Sequence, residues 1–123
     1  MKVSLDESQP IFQQIARMIT DEIVDGSLRE GERVPSENEL SRFYNINRAT
    51  VRNGLQSLVD AEIIYKQRGI GMFVKKGAKA RLIKERQNQY RDDYILPLLE
   101  EGKRLGLSVQ TVVEMIEKEH EKK

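Results

Sequence analysis

The chain has no cysteine, one histidine and three prolines among 123 residues. Without cysteine there is no disulfide, no thiolate nucleophile and no cysteine metal site. The lone His120 lacks the partners a zinc site requires, so no metal is expected. No apolar run approaches the roughly 20 residues of a membrane span. Met1-Lys2-Val3-Ser4 leads to Asp6-Glu7 and not to the apolar core of an export signal. No membrane role and a cytoplasmic location are therefore expected. The chain also lacks a nucleophile–base–acid set and a glycine loop running into Lys-Ser/Thr. Asp92-Asp93 and Glu100-Glu101 are neighbours, which point about 100° apart on a helix and make no carboxylate dyad. No catalysis and no cofactor are expected.

What is present is a soluble composition, 38% hydrophobic and 33% charged, with room for one domain and an appendage. The net charge of +1 hides an asymmetry. Between Arg42 and Arg91 twelve Lys or Arg face three acids, a segment of +9; the remaining nine basic and seventeen acidic residues leave −8. A basic block of this kind points to nucleic acid, or, beyond Lys76, to a solvated charge run at a hinge.

Taken in order, residues 1–9 read as extended, and Pro10 stands at the first helical position, where its missing N–H is harmless. Ile11, Ile15, Ile19 and Ile23 repeat every fourth residue, an amphipathic helix whose stripe is core and which Gly26 ends. Leu28 and Val34 anchor the turn-rich link that follows.

Pro35 to Val74 organises the rest. Ser36 and Glu39 form a capping box for a short helix. Tyr44-Asn45-Ile46-Asn47 is a turn with Ile46 plugged inward, and Asn47 caps the next helix. On that helix Val51, Leu55, Leu58 and Glu62 share one side, with Val59 at its edge. Arg48 and Arg52 flank the stripe; Ala49, Asn53 and Gln56 point away from it. Arginine forks onto guanine, Asn and Gln pair with adenine, and an Ala methyl touches thymine, so this face suits the major groove. For the helix alone, a solvated polar face is the alternative. Ile64–Gln67 and Met72–Lys75 read as a hairpin across Arg68-Gly69-Ile70-Gly71. The glycines let backbone approach a groove, and Arg68 suits a narrow minor groove, although a plain hairpin turn gives the same signal.

These motifs resemble the amino-terminal domain of the GntR family of bacterial transcription regulators. The match runs through Pro35, Ser36, Glu37, Glu39, Leu40, Arg48, Thr50, Val51, Arg52, Leu55, Gly69, Gly71, Phe73 and Val74. The resemblance implies a mainly α fold with a small β-hairpin: a winged helix-turn-helix over 1–76 and a short helical dimerisation tail over 77–123. It implies Arg48 and Arg52 as recognition arginines, with Arg52 reading a base. Thr50 becomes a phosphate or base-edge contact, and Gly69 with Gly71 a wing tip in the minor groove. Ser36, Asn38, Asn47, Arg48, Ala49, Thr50, Arg52, Asn53, Gln56, Arg68, Gly69 and Gly71 are the expected DNA-binding set. Asn38 stands where many members carry a base-reading Arg, Asn47 replaces a capping Ser, and Gly54 replaces an Ala. Gly54 costs the helix about 1 kcal/mol against Ala unless close packing needs the space.

After a Gly77-Ala78 hinge, apolar residues recur at helical spacing, with Pro97 kinking the helix or beginning a new one. Leu105-Gly106-Leu107 is a helix stop, Ser108 a cap, and the tail from Glu117 is charged and frays. Leu82, Ile83, Tyr90, Tyr94, Ile95, Leu98, Leu99, Val112, Val113 and Ile116 form the expected dimerisation face. The alternative is packing on the first domain. Tail length and helix stop resemble the YtrA-type subfamily, which implies a repressor. The expected partners are an operator duplex and a second copy of the chain, so that a homodimer reads an inverted repeat. Two alternatives stand beside this: a sensor holding a small effector at the tail or dimer interface, lined by Tyr90, Arg91 and Tyr94, and a winged helix used only for protein contact.

Overall fold

The computed structural model describes residues 4–122, so the expected extended segment at Met1–Val3 and the end of the tail at Lys123 lie outside the described residues. The elements are helices α1 (Ile11–Asp25), α2 (Glu37–Tyr44) and α3 (Arg48–Asp60), strands β1 (Ile64–Gln67) and β2 (Gly71–Val74), helix α4 (Ala78–Tyr90), a π-helical turn (Arg91–Ile95), α5 (Leu96–Arg104) and α6 (Val109–Glu121). They fall into two compact units, one through Ile83 and one from Lys84. The architecture is the expected one, mainly helical with one antiparallel hairpin. Among the described residues no helix is long and apolar enough to cross a membrane.

In the first unit, α1 presents Ile15, Met18, Ile19 and Ile23, all buried, to Val51, Leu55 and Leu58 of α3. Pro10 sits one place earlier than expected, at the cap, where its carbonyl accepts from Gln14 N at 3.2 Å. Gly26 ends α1 in the left-handed conformation. Gly54 meets α1 directly: a Cβ there would lie 2.7 Å from Phe12 O and 3.2 Å from Ile15 Cβ. The helix gives up propensity so that two backbones can approach. The capping box is complete, with Glu39 N donating to Ser36 Oγ at 3.0 Å and Ser36 N to Glu39 Oε1 at 3.2 Å. Asn45 takes the left-handed turn position and Ile46 packs on the core. Asn47 caps α3 through Ala49 N, 2.7 Å from its Oδ1.

The structure corrects two boundaries here. Glu62 does not lie on the α3 stripe: the helix ends at Asp60, and Glu62 is exposed with φ 59°. The hairpin register is Ile64↔Val74, Tyr65↔Phe73, Lys66↔Met72 and Gln67↔Gly71. The turn is therefore Arg68-Gly69-Ile70, with Gly71 in the strand and Lys75 beyond it. Finally, α4 begins directly after Gly77, and both Ala78 and Leu82 are buried in the first unit's core. The two compact units divide between Ile83 and Lys84, inside α4. Leu82, at 6% exposure, faces this core and is not available to a dimerisation face.

In the second unit, Pro97 neither ends the helix nor starts an isolated one. Leu96 N donates to Arg91 O, five residues back, and Pro97 stands in the first turn of α5. The wider π turn takes up the crowding and the missing N–H that proline imposes on the preceding turn. At the end of α5, Gly106 has φ 75°, Gly106 N donates to Lys103 O at 3.1 Å and Leu107 N to Gly102 O at 2.8 Å. These two bonds are a complete Schellman stop. Ser108 Oγ accepts from Thr111 N at 3.1 Å to cap α6. α6 runs on to Glu121, through the charged stretch from Glu117.

Candidate nucleic-acid interface

α2, the Asn45–Asn47 turn and α3 form the helix-turn-helix, and β1–β2 the wing. Burial of Val51, Leu55 and Leu58 fixes the rotation of α3. That rotation leaves Arg48, Ala49, Arg52, Asn53 and Gln56 exposed and Thr50 half-buried. The expected major-groove set is thus together on one helix face. Asn38 and Asn47 are exposed and Ser36 half-buried at the start of the two helices. Arg68 and Gly69 are exposed in the wing turn; Gly69 has φ 80° and open space where a side chain would go. Gly71 is in the strand and half-buried.

Glu37, to which the sequence pattern assigns no role, organises the arginines. Glu37, first in α2, receives Arg52 Nη2 on Oε1 at 2.8 Å and Arg52 Nε on Oε2 at 3.1 Å. Arg48 Nε reaches the same Oε1 at 3.3 Å. Hydrogen bonding from Arg52, then the charges of both arginines, holds the Glu37 carboxyl below the usual value, and Arg52 is correspondingly raised. The Glu37 side chain is 24% exposed, those of Arg48 and Arg52 about 60%. The carboxylate therefore lies under the two guanidinium groups and leaves their outer edges free. Gln56 is committed otherwise, with Nε2 donating to Asp60 Oδ1 at 2.9 Å.

Part of the basic block is structural. Lys75 Nζ pairs with Glu62 at 3.0 Å. Arg81 donates to Ala61 O at 2.8 Å and Glu62 O at 3.1 Å, satisfying carbonyls at the C-terminal end of α3. The expected dimerisation residues divide. Leu82 is in the core described above, and Val112 is buried in the second unit. Ile83 is half-buried. Tyr90, Tyr94, Ile95, Leu98, Leu99, Val113 and Ile116 are 37% to 63% exposed. Tyr90 and Tyr94, with ring centroids 5.2 Å apart, line an open groove of about 930 Å³ together with Leu98, Leu107 and Met115. Arg91 does not line it and pairs with Asp92 at 3.5 Å.

A helix-turn-helix with a wing, and a second helix bearing exposed cations and amides, defines the class of DNA-binding transcription regulators. The family profile for bacterial regulatory proteins of the gntR family matches residues 11–74, more than half of the chain, and the chain belongs to this family. A GntR-family regulator from Bacteroides thetaiotaomicron is similar nearly end to end, with TM-score 0.75 and 31% identity over 91% of this chain and 97% of that one. YtrA from Sulfolobus acidocaldarius, a GntR-family transcription factor, gives TM-score 0.56 and 28% identity over 75% and 97%. The DNA-binding domain of AraR in complex with operator ORE1 gives 0.52 and 28% over 60% and 93%. The chain spans 28% of the length of the first curated relatives it matches.

Proposed function

We propose that this GntR-family protein is a cytoplasmic repressor that binds an inverted-repeat operator as a homodimer, and that it has no catalytic activity. The observation that carries the reading is the Glu37 clamp. It holds two guanidinium groups side by side, outer edges free, on the first two turns of the exposed face of α3. Long side chains held this way lose less conformational entropy when they fork onto guanine. Arg52 is the base reader in this account, and Arg48, Asn53 and Ala49 complete the major-groove face. Asn47 and Thr50 meet the backbone, and Arg68 with Gly69 approaches the minor groove. That an AraR domain of the same fold was solved on an operator supports the placement.

The homodimer is supported by the tail. Seven large apolar residues of the expected dimerisation face, between Tyr90 and Ile116, stay exposed, an arrangement that a second copy would bury. A two-fold pair of winged helices reads two half-sites. Selection from random duplexes at moderate salt tests this: a two-fold symmetric site bound by two chains is expected. Recovery of no site, or of an asymmetric site bound by one chain, contradicts it.

The groove beside Tyr90 and Tyr94 favours a second reading, in which a small effector occupies it and weakens the dimer. Thermal shift with candidate metabolites tests that version, and it fails if ligands that stabilise the protein leave operator affinity unchanged.

A further inference from the structure

Gly71 has a use that its place in the strand, rather than the turn, makes visible. Residues 32–34 run along the free edge of β2: Val34 N donates to Met72 O at 2.8 Å, Val74 N to Glu32 O at 3.0 Å, and Arg33 bridges Phe73. On one face of an antiparallel pair a side chain meets its opposite residue and its diagonal neighbour. The diagonal neighbour of Arg33 is Gly71, and the guanidinium stem lies across it. A Cβ at Gly71 would come 2.9 Å from Arg33 Nε and 3.7 Å from its Cγ and Cδ. The bare glycine is a seat for this arginine.

Arg33 is exposed and makes no salt bridge among the described residues, although the Glu39 carboxyl feels its charge. It lines a cleft of about 260 Å³ with Ser36, Glu37, Lys66 and Gly69, between the start of α2 and the wing, where the Glu37 carboxylate is already held by Arg48 and Arg52. Both elements belong to the surface offered to DNA. A fork of five donors placed between them, with no carboxylate bound to it, is matched chemically by a phosphodiester.

We propose that Arg33, seated on Gly71, is a DNA-binding residue that grips a backbone phosphate beside the wing. The inference rests on the DNA-binding reading above. Such a contact adds affinity and fixes the wing, but reads no base.

The test uses the full chain and the selected operator, with Arg33→Ala, Gly71→Ala, the double variant and Arg52→Ala, titrated over a salt series. Arg33→Ala is expected to weaken binding and to make the slope of log affinity against log salt shallower by about 0.9, the value of one phosphate contact. Its discrimination among single-base operator variants should equal that of wild type. Gly71→Ala pushes a methyl into the arginine, so it should weaken binding in the wild-type background and have little further effect in the Arg33→Ala background. Because Gly71 has φ 150°, any strain in the hairpin is read in that second background. An unchanged salt slope for Arg33→Ala, or equal losses from Gly71→Ala in both backgrounds, overturns the proposal. If Arg52→Ala loses discrimination while Arg33→Ala matches wild type, this inference alone falls; if wild type binds no duplex, the DNA-binding reading falls with it.

Discussion

Glu37 and Arg52, fifteen positions apart in sequence, meet fork to fork, at 2.8 and 3.1 Å. A carboxylate beside a DNA-binding face repels phosphate, so it costs non-specific affinity. What it contributes is order in the guanidinium group above it. Glu37→Gln keeps the shape and removes the charge. It should bind random duplex more tightly than wild type and discriminate less well at the base pair that Arg52 is proposed to read. Competition titrations with operator and non-specific duplex measure both; a variant that gains or loses equally on the two duplexes contradicts the positioning role.

The same pair has a pH signature. The folded Glu37 carboxyl titrates below its ordinary value of 4.5, so its stabilising effect is fully present above that value. It is lost as pH falls through the lowered folded value, while Arg52 stays charged. Urea unfolding of wild type and Glu37→Gln should therefore differ by a constant amount between about pH 8 and pH 6, and converge in the acid range below 4.5. A difference that grows as pH falls has the wrong sign for this assignment.

Much of this site was legible in the sequence because its signals are local. Ser36 with Glu39 and Asn47 each satisfy backbone donors within three residues, and Gly106 needs only its own φ. The apolar period of α3 fixed which side chains face out. Glu37 falls in the family motif, but its role is not legible there, because its partners lie 11 and 15 residues away across a turn. Spacing alone does not register a hairpin, so Gly71 reads as turn chemistry, and its neighbour Arg33 comes from a third segment. Leu82 repeated at the same helical spacing as the tail residues, so periodicity could not tell which core it enters.

Gly54 gives a prediction in which two effects oppose. Ala has the higher helix propensity, by about 1 kcal/mol. Its Cβ would stand 2.7 Å from the Phe12 carbonyl, a backbone atom that moves only with α1. Overpacking of this kind costs about 1–3 kcal/mol, so Gly54→Ala should lower stability. Thermal and urea unfolding decide the sign; a stabilised variant would show that α1 and α3 separate without cost.

Leu82 and Leu98 lie sixteen positions apart and should respond in opposite ways. Leu82 is 6% exposed, so Leu82→Ala should destabilise the fold by about 2–5 kcal/mol. Leu98 is 41% exposed, so Leu98→Lys should cost the monomer less than Leu82→Ala does yet abolish the proposed dimer. Urea unfolding and sedimentation together test the pair. A Leu98→Lys protein that stays dimeric at the concentration where wild type is dimeric moves the interface elsewhere.

The tail's last helix depends on its cap. Ser108→Ala removes the acceptor for Thr111 N and should cost about 1 kcal/mol. Circular dichroism should show helix loss on heating earlier than in wild type; an unchanged melting curve would mean that packing through Val112 alone holds α6.

The most direct test of the central claim is discrimination by Arg52. Wild type and Arg52→Ala are titrated with the selected operator and with each single-base variant of it, at two salt concentrations. A base-reading Arg52 predicts a loss of about 1–3 kcal/mol of discrimination concentrated at one base pair in each half-site, with the other positions read as before. A uniform loss across all positions, or none, contradicts it and reduces Arg52 to a backbone contact or a bystander.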